Sequence, residues 1–383
     1  MTCIERLVID GYRGIDHFEY EPNMINILVG RNNTGKSSIL EATAIIYTAP
    51  SGFLDKLGSN VFEKIINRKG WDNLPYFINL NKMDRDRKFK ITATLNNIEI
   101  SINANYRDQN TKGEVPKEII DLVLKYYIEK IREEDYTIWI RKRRPRLEII
   151  RREAFPSDLE MEVDKLVSET ISGPIFFGQI MPGDNYFVVL PYDKKILASV
   201  SISGDLIFYG QRLEEKFDIK YLHDILLPTA RMHQSLDYIR NHIPYFTDLR
   251  SDGQKIWIYF ENLPKPLPLS MIGDGMRETI RMLFVASLIP GGVLLLEEPE
   301  NNLHPGLYDV VAERLVDIVR NDETQVFLST HNLEFADKLL RYGGELVNVV
   351  RLYRVKDEFA YEVLRHDEAL EELDELHIDL RGP

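Results

Sequence analysis

Gly30, Gly35, Lys36 and Ser37 fall at the spacing G-x-x-x-x-G-K-[ST], inside the run "ILVGRNNTGKSSIL" at residues 27–40. Two glycines let a short loop curl until successive backbone N–H groups face one anion, and the lysine and hydroxyl add a cation and a metal ligand. Polyphosphate binding is the chemistry such a loop performs. Arg31, Asn32, Asn33 and Thr34 would contribute loop N–H groups, and Ser38 opens a helix whose positive end also faces the anion. Lys36 is then expected on the β/γ-phosphates of ATP and Ser37 on Mg2+. An ordinary glycine turn is the competing reading; a strand before the loop and a helix after it argue against that.

A second motif is "VLLLEEPENNLHP", residues 293–305. Its apolar run suits a central strand, so Glu297 and Glu298 should reach the carboxyl edge of a parallel sheet, where a phosphate loop also opens. A P-loop enzyme needs one carboxylate for the Mg2+ shell and another to orient or deprotonate water. The alternative is an acidic helix start after a core strand. In "VFLSTHN" the strand ends at Ser329-Thr330-His331-Asn332. A histidine after a strand is commonly structural, but one βα unit beyond the glutamates places His331 at the γ-phosphate edge. In "PLSMIGDGMRETIRMLF", Ser270, Gly273, Asp274 and Gly275 precede a helix and would equally suit a cap. Arg141, Lys142, Arg143, Arg144 and Arg146, with Trp139 beside them and Pro145 at a hairpin tip, are candidates for DNA phosphate contacts; a solvated basic turn is the other reading.

These residues need elements to hold them, and the chain can supply them. With 383 residues and 44% hydrophobic content it can bury a large core. The run "IRMLFVASLIPGGVLLL" is split by Arg281 and Pro290-Gly291-Gly292, so no membrane helix is expected, and the single cysteine, Cys3, cannot form an intramolecular disulfide. Charges in "MTCIERLVID" disfavour a signal peptide, making the cytoplasm the expected location. A net charge of −13 argues against coating DNA with the whole surface and leaves room only for a local basic patch.

Residues 3–29 read as two strands joined near Pro22-Asn23. "SSILEATAIIYTA" is apolar around most of its circumference, as a helix buried on a sheet should be. "RKFKITATLNNIEISINANY" reads as a hairpin turning at Asn96-Asn97. The last third alternates "KIWIYFE", a helix at 277–289, "VLLLEE", a helix at 306–320 and "QVFLST", the rhythm of a parallel sheet. The fold class expected is α/β: a P-loop NTPase with a mixed, largely parallel sheet, an antiparallel β subdomain and a helical/β insertion. Residues 1–105 would form the first part of an ATPase head, 106–175 the insertion, and 176–383 the rest, ending in an acidic tail.

The order Gly30–Ser37, Ser270–Arg277, Glu297–Pro305 and Ser329–Asn332 resembles the Walker A, signature, Walker B with D-loop, and switch-histidine motifs of ABC-type ATPases in the RecF, SMC and OLD-family group. "GYRGI" is similar to that group's N-F-R-G-L opening, which marks Arg13 as nucleotide-proximal. "LLPTARMHQ" looks like the L-P-A-x-R segment of its stand-alone AAA-domain members; Arg231 is near the nucleotide or in a structural ion pair. The resemblance implies that Glu298 polarises water, Glu297 serves the metal in place of the usual Asp, and His331 senses the γ-phosphate. It further implies that Ser270 and Gly273–Gly275 act in trans, in a homodimer with ATP sandwiched between heads. "SMIGDG" differs from the transporter-type LSGGQ. The function expected is a dimerising ATPase switch in DNA repair or defence against foreign DNA, with any nuclease a separate partner. The alternative is a nucleotide-gated scaffold holding an effector protein with little turnover. A transporter ATPase fits least, because of the insertion and the "EEPE" strand end.

Overall fold

In a computed structural model, residues 3–78, 88–107, 115–127, 165–170, 175–183, 185–191, 193–199, 206–210 and 217–382 are described. Every residue of the strand Ile25–Gly30 is buried. That is what a parallel strand covered on both faces requires. It lies inside a six-stranded sheet whose order is Glu358–Arg365, Val347–Val355, Ile25–Gly30, Gln325–Ser329, Val293–Glu297 and Leu206–Gly210. The first of these is an antiparallel edge; the other five run parallel. Helices Tyr308–Asp322 and Leu333–Gly343 make the crossovers on either side of Gln325–Ser329.

A second sheet of seven antiparallel strands has the order Ile15–Tyr20, Ile4–Tyr12, Lys88–Leu95, Ile98–Arg107, Ile175–Met181, Asn185–Leu190 and Lys195–Ala198. Helix Lys36–Thr48 packs on strands of both sheets and is buried at nearly every position. Its apolar circumference is explained by that position: no side of it faces water.

Two expectations are corrected. Residues 3–20 form a hairpin rather than one strand, because Arg13 takes a left-handed φ of 53° and Tyr12 then pairs back onto Ile15. The chain up to Gly30 thus holds three strands, not two. "KIWIYFE" supplies Ile256–Phe260, but this strand joins Phe246–Ser251 and Leu267–Pro268 in a separate three-stranded antiparallel sheet. Its half-buried pattern and the tight turn at Asp252-Gly253 suit a hairpin rather than a covered parallel strand. The turn at Asn96-Asn97 follows expectation, with both residues at positive φ, 50° and 63°. The basic stretch from Arg141 to Arg146 and Trp139 lie outside the described residues.

Candidate functional site

Strand pairing brings the chemistry to one edge. Glu297 is level with Ser329, Ser329 with Leu28, and Leu352 with Gly30. Glu298 N–H donates to the Ser329 carbonyl at 2.9 Å and Thr330 N–H to that of Leu28 at 3.1 Å. The residues after three parallel strands are thereby held side by side.

The loop Gly30–Ser37 curls through left-handed positions at Asn33 (φ 63°) and Gly35 (φ 112°). Gly30 has φ 144°, and a Cβ on it would sit 2.3 Å from the Leu352 carbonyl oxygen and 2.8 Å from Thr34 Oγ1. Thr34 Oγ1 itself donates to the Arg31 carbonyl at 2.9 Å. Gly30→Ala should therefore lower stability by roughly 2 kcal/mol or more, since backbone cannot yield as a flexible side chain does. A thermal midpoint equal to the parent's would contradict this packing.

Lys36 Nζ donates to the carbonyls of Gly30 at 2.8 Å and Arg31 at 2.9 Å. Burial pushes its pKa down to about 8, against the opposing pull of Glu298 and Glu300. The ammonium is still charged at neutral pH and is poorly compensated, a state that favours capture of an anion. Ser38 is buried in the same first turn.

Ser37 Oγ donates to Glu297 Oε1 at 2.5 Å. Two hard oxygen donors thus converge at the rim of the phosphate loop, which fits Mg2+. Among the described residues no group of three or more His, Cys, Asp and Glu could hold a metal alone. A cation here would take its remaining ligands from phosphate and water, as Mg2+ commonly does.

Arg68, at the end of helix Val61–Lys69, grips both oxygens of Glu297, with Nη2 on Oε1 at 2.9 Å. Burial alone would raise the Glu297 pKa, but the Arg68 and Ser37 contacts outweigh it and hold it below the usual range. Arg68 also reaches Glu41 Oε1 at 3.1 Å. Glu41 is fully buried in helix Lys36–Thr48, paired with Arg13 and 3.4 Å from Lys69. Arg354 donates at 3.2 Å to the carbonyls of both Asn33 and Gly14, tying the hairpin turn to the phosphate loop. Arg13 therefore lies on a turn beside the loop while its own guanidinium is committed to Glu41.

Glu298 is a non-glycine residue at φ 50°. Such backbone persists where surrounding contacts over-determine it, and it aims the side chain. Glu298 Oε2 accepts from Asn301 Nδ2 at 2.7 Å, and Oε1 stands 3.2 Å from His331 Nε2. Burial, and then Lys36, push the His331 pKa down from its ordinary value, so the ring is neutral at neutral pH. Glu300 holds the histidine's backbone: its Oε1 accepts from Thr330 Oγ1 at 2.5 Å and from His331 N–H at 3.2 Å. Burial raises its pKa, and Oε2 is buried without a partner. Asn332 caps the next helix through a 2.9 Å bond from Phe335 N–H.

The remaining candidates lie elsewhere. Ser270 occupies the short turn Leu269–Met271, and Gly273 precedes helix Asp274–Ser287, where Asp274 pairs with Arg277. A Cβ on Gly275 would stand 3.1 Å from the Asn302 carbonyl, so this helix start abuts the loop after the paired carboxylates. Among the described residues no hydrogen bond or ion pair joins Ser270–Gly275 to Gly30–Ser37. Arg231 bonds Asp322 at 2.8 and 3.2 Å. Asp322 ends the helix feeding the amino end of Gln325–Ser329, the opposite edge from the phosphate loop. Five strand residues separate the two edges, about 17 Å. Of the two readings of Arg231, the structure has the ion pair.

Sequence reasoning missed Arg68, Glu41 and Glu300. Glu300 stands in "EEPE" as a motif letter, whereas nothing local marks Arg68 as the partner of Glu297 and Glu41.

Comparison with known proteins follows the same outline. Residues 3–169 match the family model described as "AAA ATPase domain", and residues 193–337 that described as "AAA domain, putative AbiEii toxin, Type IV TA system". An "ATP/GTP phosphatase" of Helicobacter pylori is 21% identical over 365 residues, covering 89% of each chain. "Uncharacterized protein MJECL11" of Methanocaldococcus jannaschii is 32% identical over 114 residues, all of that protein and 29% of this one. A crystal structure of the Smc head domain with an extended coiled coil, bound to the C-terminal domain of ScpA and derived from Pyrococcus furiosus, is 11% identical; coverage is 99% of this chain and 100% of that one, with a TM-score of 0.49. Among the described residues, no helix is long and apolar enough to cross a membrane.

Proposed function

We infer that the chain is an ABC-type ATPase of the RecF/SMC-like group in which two copies close around ATP and reopen on hydrolysis; the AAA ATPase-domain matches over residues 3–169 and 193–337 support the ATPase reading. The observation that carries this is the Glu298–His331 pair, 3.2 Å apart, at the ends of the two strands that lie next in order beside the phosphate-loop strand. In this reading Lys36 and the N–H groups of Gly30–Ser38 hold the phosphates. Ser37 and Glu297 would hold Mg2+, which supplies charge neutralisation at the β- and γ-oxygens. Glu298 accepts the proton of the attacking water, and a neutral His331 donates a hydrogen bond toward the γ-phosphate. Glu300 keeps the histidine's backbone in place.

The partner head would bring Ser270 and Gly273–Gly275 to these phosphates. Support comes from Met271, an apolar side chain 74% exposed beside Ser270, and from Gly273, around which a Cβ would meet nothing within 4 Å. Such a bare, partly apolar helix start suits close approach by a second surface. Residues 1–105 and 176–383 then form the head, and 106–175 an insertion for an effector protein or DNA. The cellular role we propose is a switch in DNA repair or defence against foreign DNA.

Mixing two defective proteins tests action in trans. Lys36→Ala keeps a sound helix start; Gly273→Arg keeps a sound phosphate loop and fills open space, whereas Gly275→Arg would strike Asn302. Random pairing makes half the dimers mixed, each with one complete site of two, so about a quarter of the parent ATPase activity should return. No recovery despite demonstrated subunit exchange would overturn the trans arrangement.

A further inference from the structure

The segment after the last strand does not run off as a solvated acidic tail. Arg351 lies buried on strand Val347–Val355, the direct neighbour of the phosphate-loop strand. Its Nε donates to the Leu380 carbonyl at 2.9 Å, and its other nitrogens pair with Glu362, at 3.0 Å, and Glu372. Leu380 is fully buried, and Gly382 turns at φ 81° against the Arg351 stem. A burial of that kind, with a central arginine each of whose three nitrogens donates a hydrogen bond, fixes where residues 379–382 go.

They go to the phosphate loop. A cavity of about 510 Å³ is lined by Gly30, Arg31, Asn32, His331, Asp379 and Arg381. Arg381 Nη1 donates to the His331 carbonyl at 3.3 Å. Its Nε and Nη2 are held by Asp379, at 2.9 and 2.6 Å, and the Asp379 carboxylate also accepts from Arg381 N–H at 2.8 Å. About two-fifths of the guanidinium side chain remains exposed toward solvent. Here a planar, permanently charged fork waits at the mouth of an anion site, occupied by a carboxylate of its own segment.

We propose that Arg381 is a nucleotide-binding residue that recognises the terminal phosphate of a nucleoside triphosphate, exchanging Asp379 for that phosphate. The inference rests on the phosphate-loop reading above. Its position sets the specificity: Arg381 touches the residue that faces the γ-phosphate, so a diphosphate offers it nothing. Guanidinium and phosphate match as bidentate partners, and the same fork already accepts a carboxylate in that geometry. Asp379 serves as a competitor that the third phosphate must displace, which moderates affinity for the triphosphate, whereas a diphosphate leaves the Arg381–Asp379 pair intact.

Calorimetry with a slowly hydrolysed ATP analogue and with ADP, on the full chain, tests this. Arg381→Ala should weaken the triphosphate roughly tenfold and leave ADP within about twofold, which corresponds to one exposed charge-assisted contact. Asp379→Asn should do the reverse and tighten the triphosphate severalfold, because the competitor is gone. A merely structural pair predicts that both substitutions act alike, lowering the thermal midpoint and the affinity for both nucleotides; that result would overturn the proposal. Equal loss of ATP and ADP in Arg381→Ala would overturn it as well. Lys36→Ala separates the two levels: if it keeps its affinity for both nucleotides, the phosphate-loop reading fails, whereas if it loses both while Arg381→Ala changes neither, only the role of Arg381 fails.

Discussion

Glu298→Gln should lower the single-turnover rate of ATP hydrolysis by about 10²–10⁴-fold while ATP binding stays near that of the parent. The amide has nearly the shape of the carboxylate, so the 2.7 Å contact with Asn301 and the left-handed backbone at this position can both survive. What it loses is the capacity to take a proton from water. Glu297→Gln should behave differently, because that carboxylate bonds Ser37 and Arg68. Its loss should raise the Mg2+ concentration needed for half-maximal activity. If Glu298→Gln hydrolysed ATP at the parent rate while Glu297→Gln were inactive at saturating Mg2+, the two roles would have to be exchanged.

Lys36→Ala should weaken ATP by at least about 100-fold, the loss expected when a desolvated cation is removed from a phosphate site. Two things go at once. The phosphates lose a buried counter-charge, and the carbonyls of Gly30 and Arg31 lose the donor that holds the loop's curvature. Stability without nucleotide should change far less, since a lysine whose pKa is pushed down to about 8 carries a charge the fold disfavours. The sign is clear: with a folded pKa below the unfolded one, the charged form destabilises the folded state below pH 8, and the penalty fades between pH 8 and the unfolded pKa. Binding near the parent value, in calorimetry on a folded variant, would remove the phosphate loop from the mechanism.

The parts of this site that could be read from the chain are those in which neighbours in sequence are neighbours in space. Gly30 to Ser38 is one strand end, one loop and one helix start, so its spacing carries its geometry. "VLLLEE" is similar: a strand's burial fixes where its last carboxylates emerge. Strand Ile256–Phe260 shows the limit, because a run of β-branched and aromatic residues states that it pairs without stating with what. The hairpin at Arg13 was hidden for a related reason. Apolar alternation continues across it, and only the left-handed arginine marks the reversal. Arg68 and Glu297 are 229 residues apart and Arg381 and His331 are 50 apart. Charges on such residues resemble ordinary surface charges until the fold closes over them.

Glu41 and the cations around it have an implication for how this sequence can drift. One carboxylate without solvent access is shared by Arg13, Arg68 and Lys69, three residues contributed by a hairpin turn and a helix end. Losing the acid would crowd three positive charges around an empty space; losing the arginines would strand a negative one. Neither step is a tolerable halfway house, and the interaction energies of such a group are strongly non-additive. Divergent copies of this chain should therefore either keep all of these residues or replace them together with a neutral, well-packed set, and swapping the segment 61–69 between distant copies should fail unless residues 13 and 41 travel with it.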